Sequence, residues 1–513
     1  MSIDAPPEAA PPVNRLMVTI SVMMATVMTM LDMTIANVAL PHMAGSVGAS
    51  ADQITWVLTS YIVASAILTP MSGWLAARLG RKSIFIWSIV GFTAASAACG
   101  AAQTLDQIVL FRIIQGAFGA ALGPLSQAIL LDTYPIEQRG PAMAIWGIGV
   151  MVAPIVGPVL GGWLTDDFSW RWVFYINLPI GILSVLGVTT FIHDLQPPEK
   201  RRFDLLGFVL LSMFLGATQL FLDRGQTNDW FSSVETQIEC TVAVLALFLF
   251  VVHTLTYDRP FLPRALFSDA NFITAAAMGT VVSMLVFSVL ALLPTMAETL
   301  LGYPVVTTGL LMAPRGVGGL ISMIAVGQLV NRVDTRLMIA TGFGFFTIAF
   351  FTMSHFSLQM NSYAIAYSGF IQGLGTGLVF MPMTVLAFAT LKPMLRADGA
   401  GAFQLFRNLG QSVGISVVQV LIVRNSDAVH ARLVEAVRTD NPLMRAPYLH
   451  APFSLGNPAG LAAFNGEITR QAGMVAYVDV FHAMIYATAL LVPMTFLLRK
   501  PADQAAIEIE ISE

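Results

Sequence analysis

About fourteen stretches of this chain are each long and apolar enough to cross a bilayer, which takes about 20 mostly apolar residues in a helix. They begin near Leu16, Ile54, Ser83, Gln107, Ala142, Trp172, Phe203, Gln237, Asn271, Val305, Leu337, Tyr363, Gly399 and Ala476. Backbone groups in hydrocarbon find no water, so each stretch must satisfy its own N–H and C=O groups as a helix. The expected fold is therefore an all-α membrane protein. Composition agrees: 56% of the 513 residues are hydrophobic and 11% charged, against about 25% charged in a soluble domain. A net charge of −4 gives no support for nucleic-acid binding. Cys99 and Cys240 each lie in an apolar run and read as packing residues, not as a disulfide or a metal site. The first apolar run lacks a small-residue cleavage pattern and reads as a retained helix, preceded by a disordered Ala/Pro-rich tail over residues 1–14.

Positive charge sets the orientation. Arg15, Arg78, Arg81, Lys82, Arg139, Lys200, Arg201, Arg202, Arg259, Arg264, Arg332, Arg336, Lys392, Arg396, Arg499 and Lys500 all fall on one side of the expected helices. The positive-inside rule makes that side cytoplasmic, with both termini there. The 424–475 segment carries five arginines yet falls outside, which long loops tolerate. Its stretch Asn425 to Val437 has the character of a helix continuing the thirteenth span.

The chain repeats itself. Gly73 to Lys82 after the second span is matched by Gly327 to Arg336 after the tenth, and Ile114-Gln115-Gly116 by Ile371-Gln372-Gly373. Pro124 and Pro382 follow at similar distances. Two parallel six-helix halves, 15–195 and 270–498, are expected, with two inserted helices over 203–256 and a cytoplasmic tail over 499–513. Transporters are commonly built from such repeats, with the site near the midplane between them.

Asp32 lies deep in the first span, and a carboxylate there is a functional candidate by default. Counted along the helix it is roughly 24 Å from the inner end, and roughly 6 Å from the outer face of a core about 30 Å thick. Arg112, in the fourth span, lies roughly 10 Å from the same face. The two opposite charges are expected at similar depth. They form either a proton switch, in which Arg112 tunes Asp32, or a fixed ion pair locking two helices together. Asn37 and Gln115 are candidate cavity residues.

Gly149, Ala153, Gly157 and Gly161 recur every four residues on the fifth span and form a close-packing stripe. Pro154 and Pro158 form a neighbouring stripe that should bend the helix. The stripe is expected to supply a sliding contact between the halves. Gly73, Arg78, Gly80, Arg81 and Lys82 read as a loop acting either as a conformational latch or as a topological anchor. Arg407, with Phe403 and Phe406 beside it, is either a second cavity cation or a side chain that snorkels. Arg112 and Arg407 together would make the cavity cationic and favour hydrophobic weak acids or neutral compounds. Asp223, Glu298 and Asp132 sit at helix ends; the first two are secondary coupling candidates. The histidines show no metal spacing, and no nucleophile elbow, phosphate loop or zinc motif is present, so nothing argues for an enzyme or a metal.

Leu31 to Pro41, Gly73 to Lys82, Arg112 to Gly116 and Gly149 to Gly162 together resemble the motifs of the fourteen-helix drug:proton antiporters of the major facilitator superfamily. The stretch from Thr55-Trp56-Val57 through Asn177-Leu178-Pro179, and Leu222-Asp223-Arg224-Gly225 with Asp229-Trp230-Phe231, are similar to the EmrB-like multidrug exporters within it. The resemblance covers nearly the whole chain. One departure is Ala77, where the superfamily loop usually carries an acidic residue, and this favours anchoring over a charge-relay latch. The resemblance implies the major facilitator fold and an inner-membrane exporter driven by a proton gradient, without another cofactor. It also implies a periplasmic EmrA-like adaptor and a TolC-like outer-membrane channel as partners, with the 424–475 segment as candidate adaptor contact. Two other readings stay open at this level: an exporter of an endogenous metabolite, lipid or siderophore, and a non-transporting membrane receptor or assembly protein.

Overall fold

A computed structural model describes residues 14–135, 138–192, 203–225, 228–329, 332–392, 395–438, 441, 453 and 457–499. Those residues form helices joined by short turns. In chain order the long helices are α1 (Arg15–Val47), α2 (Trp56–Leu68 and Met71–Leu79), α3 (Arg81–Ala101), α4 (Leu105–Thr133), α5 (Arg139–Asp167), α6 (Trp172–Phe191), α7 (Leu205–Arg224) and α8 (Val234–Thr256). They continue as α9 (Ala270–Thr299), α10 (Val305–Leu329), α11 (Thr335–Met353), α12 (Ser362–Ala389), α13 (Arg396–Val434) and α14 (Pro458–Thr495). Twelve are long and apolar enough to span a membrane, and the two parts of α2 make a thirteenth. The remaining helix, α5, is 29 residues long and stands where the fifth span was expected. Bulky apolar side chains such as Trp87, Leu186, Phe248 and Tyr486 point outward. In hydrocarbon that surface is the solvated one.

Local chemistry explains the interruptions. The halves of α2 meet at 57° at Thr69 and Pro70, where a proline ring removes a backbone donor and crowds the preceding turn. Gly80 alone separates α2 from α3, with φ at 89°, a conformation that L side chains rarely adopt. Gly73 to Leu79 are thus helical rather than part of a loop. The described residues of 424–475 are also largely helical. α13 runs on to Val434 over 39 residues and α14 begins at Pro458, well before the expected start at Ala476. At 1.5 Å per residue α13 is about 58 Å long, nearly twice a bilayer core. Its extension pairs with that of α14 through His430 and Asn465, 3.1 Å apart.

The helices α1–α6 pack around α1, and α9–α14 around α9 and α12. The two groups meet along α5 and α10, and again where the inner part of α2 approaches α13. α7 lies across that second seam, packing on both α2 and α13. The Ser412 hydroxyl donates to the Gln219 side-chain oxygen, and the Ser416 hydroxyl donates to the Leu222 carbonyl at 2.8 Å. α8 packs chiefly on α7 at the periphery.

Close helix approach is built from glycine. A Cβ on Gly116 of α4 would fall on the Tyr61 carbonyl oxygen of α2, and one on Gly373 of α12 on the Arg315 carbonyl oxygen of α10. Neither carbonyl can retreat without moving its helix. Gly116→Ala and Gly373→Ala should each destabilise the protein by about 1–3 kcal/mol. Gly162→Ala, at a position with nothing within 4 Å, should change little. Thermal unfolding of the purified variants in detergent checks this.

Candidate functional site

Asp32 and Arg112 are in contact. One guanidinium nitrogen of Arg112 (Nη1) donates to Asp32 Oδ2 at 2.5 Å, and both side chains are completely buried. Two charges removed from water need further hydrogen bonds to offset their desolvation. Here the neighbouring helices supply several, leaving Arg112 Nη2 and Asn177 Oδ1 without a hydrogen bond. Gln115 Nε2 donates to Asp32 Oδ1 at 2.8 Å while its Oε1 accepts from Arg112 Nη1 at 2.9 Å. Asn177 Nδ2 donates to Asp32 Oδ1 at 2.8 Å and to Ser96 Oγ at 3.0 Å. Arg112 Nε donates to the Val57 carbonyl at 2.9 Å, and the guanidinium lies 4.3 Å from the centre of the Tyr61 ring. Such stacking suits a planar, weakly hydrated cation. The cluster draws on α1, α2, α3, α4 and α6, and none of Asp32, Arg112, Gln115, Asn177 or Ser96 is exposed. The arrangement holds one carboxylate against one fixed cation inside a closed group of five helices.

Several positions differ from the sequence reading. α1 continues to Val47, so Asp32 sits about 22 Å from its outer end, near mid-helix rather than near the outer face. Gln115 belongs to the sealed cluster and not to a cavity. Asn37 is exposed on α1, away from Asp32. Arg112 is enclosed among five helices of one half, so it and Arg407 do not share a cavity. Arg407 is half-buried on α13, its guanidinium 4.5 Å over the Phe380 ring. Phe403 is a core residue against Phe388, while Phe406 is half-buried beside Phe267. Glu298 is half-buried at the penultimate position of α9. The side chain of Asp223 lies outside the described residues, as do those of Pro154 and Pro158.

The glycine stripe of α5 faces its own half. Gly149 meets Met23 and Val27 of α1, Gly157 meets Thr34 and Gly161 meets Ile35. The seam with α10 uses another face, where Gly147 meets Met323 and Val159 meets Gly309. The sequence placed the stripe between the halves because periodicity shows that a face packs closely, not on what. The cationic motif after α2 is also bonded within the half. Arg81 pairs with Asp132 at the end of α4, Lys82 Nζ donates to the Thr189 carbonyl of α6 at 2.9 Å, and Arg78 lies over Trp74.

Ser96, Tyr61 and Arg315 do not stand out in the sequence, and Asn177 stands out only within a motif of the family resemblance. All are polar-bearing side chains within apolar spans, the signal that revealed Asp32. Ser96 and Asn177 are common residue types whose partners lie far away in sequence. Cys99 packs with its Sγ 3.7 Å from Gln115 Oε1.

Arg112→Met should destabilise the protein by about 3–5 kcal/mol, because it strands a buried carboxylate. Asp32→Asn combined with Arg112→Met should recover a substantial part of that loss. Asn177→Leu, which removes one of three bonds to the carboxylate, should cost about 1–3 kcal/mol. Denaturant unfolding of this mutant cycle in detergent measures all three.

Comparison with known proteins places this geometry. Residues 22–415 match the family model described as Major Facilitator Superfamily. The chain is 38% identical over 432 residues to the multidrug export protein EmrB of Escherichia coli (strain K12), covering 84% of each chain. It is 34% identical to the fatty acid resistance protein FarB of Neisseria gonorrhoeae, over 94% of this chain and 96% of that one. In fold it is similar to a bacterial homolog of the human lysosomal transporter Spinster, crystallised inward-facing and occupied. The TM-score is 0.56 at 15% identity, over 96% of this chain and all of that one. The chain belongs to the Major Facilitator Superfamily and is a multi-pass membrane transporter related to the EmrB multidrug exporters.

Proposed function

We propose that this protein is a proton-coupled antiporter that exports hydrophobic drugs or weak-acid toxic compounds across the bacterial inner membrane by alternating access. The observation that carries the reading is the buried Asp32–Arg112 pair with its satellites Gln115 and Asn177. A membrane-embedded carboxylate whose charge depends on one buried cation is a natural proton carrier. Protonation of Asp32 removes the attraction that draws α1, α4 and α6 together. The loosened α1 bears on α5 through Thr34 and Ile35, which lie against Gly157 and Gly161. α5 in turn meets α10 of the other half at Val159 and Gly309. That chain of packed residues offers a route from the titrating group to the seam at which the halves would rock. One elementary charge moved through 100 mV supplies about 2.3 kcal/mol, enough for a roughly fifty-fold gradient.

The names of two relatives support the substrate class, one concerned with multidrug export and one with fatty acid resistance. The positive charges at one end of the bundle support cytoplasmic termini. The extended helices α13 and α14 project from the opposite end and would meet a periplasmic EmrA-like adaptor leading to a TolC-like channel.

Reconstitution in proteoliposomes under an inward proton gradient tests the coupling. Wild type should drive export-direction flux of a weak-acid drug. Asp32→Asn should lose gradient-driven flux by about tenfold or more while retaining drug binding. Equal flux in wild type and mutant would remove Asp32 from the coupling role.

A further inference from the structure

The two halves share a skeleton but differ in the chemistry mounted on it. In each, a glycine preceded by glutamine presses on a main-chain carbonyl of the neighbouring helix. Gln115-Gly116 of α4 sits on the Tyr61 carbonyl of α2, and Gln372-Gly373 of α12 sits on the Arg315 carbonyl of α10. Arg315 therefore occupies in the second half the place of Tyr61 in the first. Four residues before each glycine, Arg112 corresponds to Gly369. In the first half the guanidinium comes from α4 and lies over the Tyr61 ring. In the second it comes from α10, beside the space that Gly369 leaves open, where a Cβ would lie 3.6 Å from the Arg315 Cβ.

The carboxylate has no counterpart. α9 corresponds to α1, and it offers Arg315 only the Val286 carbonyl, 2.8 Å from Nη2. Among the described residues no carboxylate pairs with Arg315. Its Nη1 is buried without a hydrogen bond, as is Arg112 Nη2 in the first half, so the two halves differ in the missing carboxylate and in Gln372, both of whose amide atoms are buried and unbonded. Arg315 and Gln372 are 5% and 0% exposed. Gly369, Gln372 and Gly373 share one face of α12, three and four residues apart, and that face meets α10. In the first half the matching atoms of Gln115 are both bonded, one to Asp32 and one to Arg112. Arg315 lies about 15 Å along α10, near the midplane. A guanidinium at that depth with no counter-charge is strongly unfavourable, and its planar pair of donors matches a carboxylate.

We propose that Arg315 and Gln372 form a binding site for the carboxylate of an anionic amphiphilic substrate, which supplies in the second half the charge that Asp32 supplies in the first. The inference rests on the exporter reading for its physiological meaning and narrows the substrate class of that reading. The site is closed in this structure, so α9, α10 or α12 must part to admit a ligand.

The test is equilibrium binding of radiolabelled decanoate to the purified full chain in detergent. Decanol and decylamine should compete about tenfold or more weakly than unlabelled decanoate, and Arg315→Met should weaken decanoate binding by about tenfold or more. Gln372→Glu puts a carboxylate on the face of α12 that meets α10. It should abolish binding to a similar degree while holding or raising the melting temperature. Arg315→Lys, which keeps the charge but loses the planar fork, should give an intermediate affinity. If Arg315→Met fails to fold, Gln372→Glu and Arg315→Lys carry the test. Decanoate affinity within about twofold of wild type in folded Arg315→Met or Gln372→Glu would overturn the proposal. So would decanol binding as tightly as decanoate, or displacement by chloride at equal concentration. Failure of the antiport reading is a separate result: no gradient-driven flux in wild type, with decanoate binding still dependent on Arg315.

Discussion

A carboxylate and a guanidinium buried together in a membrane protein make the strongest demand in this structure. Either charge alone would be strongly unfavourable there, and the pair is stabilised by bonds to its other polar atoms, Arg112 Nη2 excepted. Gln115, Asn177 and the Val57 carbonyl meet them, and Ser96 holds Asn177 in place. Five of the first six helices thus converge on one ionic contact. Loss of charge on either partner would remove the attraction that draws those helices together.

The second half shows what the skeleton alone provides. Gly116 and Gly373 set the same close crossing of helices on both sides. Nothing in that crossing requires a charged pair. The first half fills the space with an internal salt bridge and leaves Arg112 Nη2 and Asn177 Oδ1 unbonded, while the second holds a cation with no carboxylate and an amide with neither atom bonded. The two halves share this backbone crossing and differ in the side chains mounted on it.

The inserted helices have a positional role. α7 lies over the seam between α2 and α13 and bonds to α13 through Ser412 and Ser416. The seam between α5 and α10 is packed directly, glycine against side chain. The two seams therefore differ in construction, one bridged by a third helix and one in direct contact. The extensions of α13 and α14 are continuous with spanning helices.

The sequence by itself determined the helical class, the order of the spans, the duplication and the presence of a buried Asp32–Arg112 pair. Each follows from a local rule: hydrocarbon forces apolar runs into helices, repeats preserve spacing, and a charge in an apolar run must find its opposite. The tertiary structure decided which side chains complete the pair, which helix the α5 glycines face, and that Gly73 to Leu79 and much of 424–475 are helical. It also decided that Arg112 and Arg407 share no cavity and that Arg315 lacks a carboxylate. Those facts depend on contacts between residues far apart in the chain. A helical period shows that one face of α5 is small and apolar, but α1 and α10 both offer surfaces that such a face fits. Asn177 is 145 residues from Asp32, and no rule acting along the chain joins them.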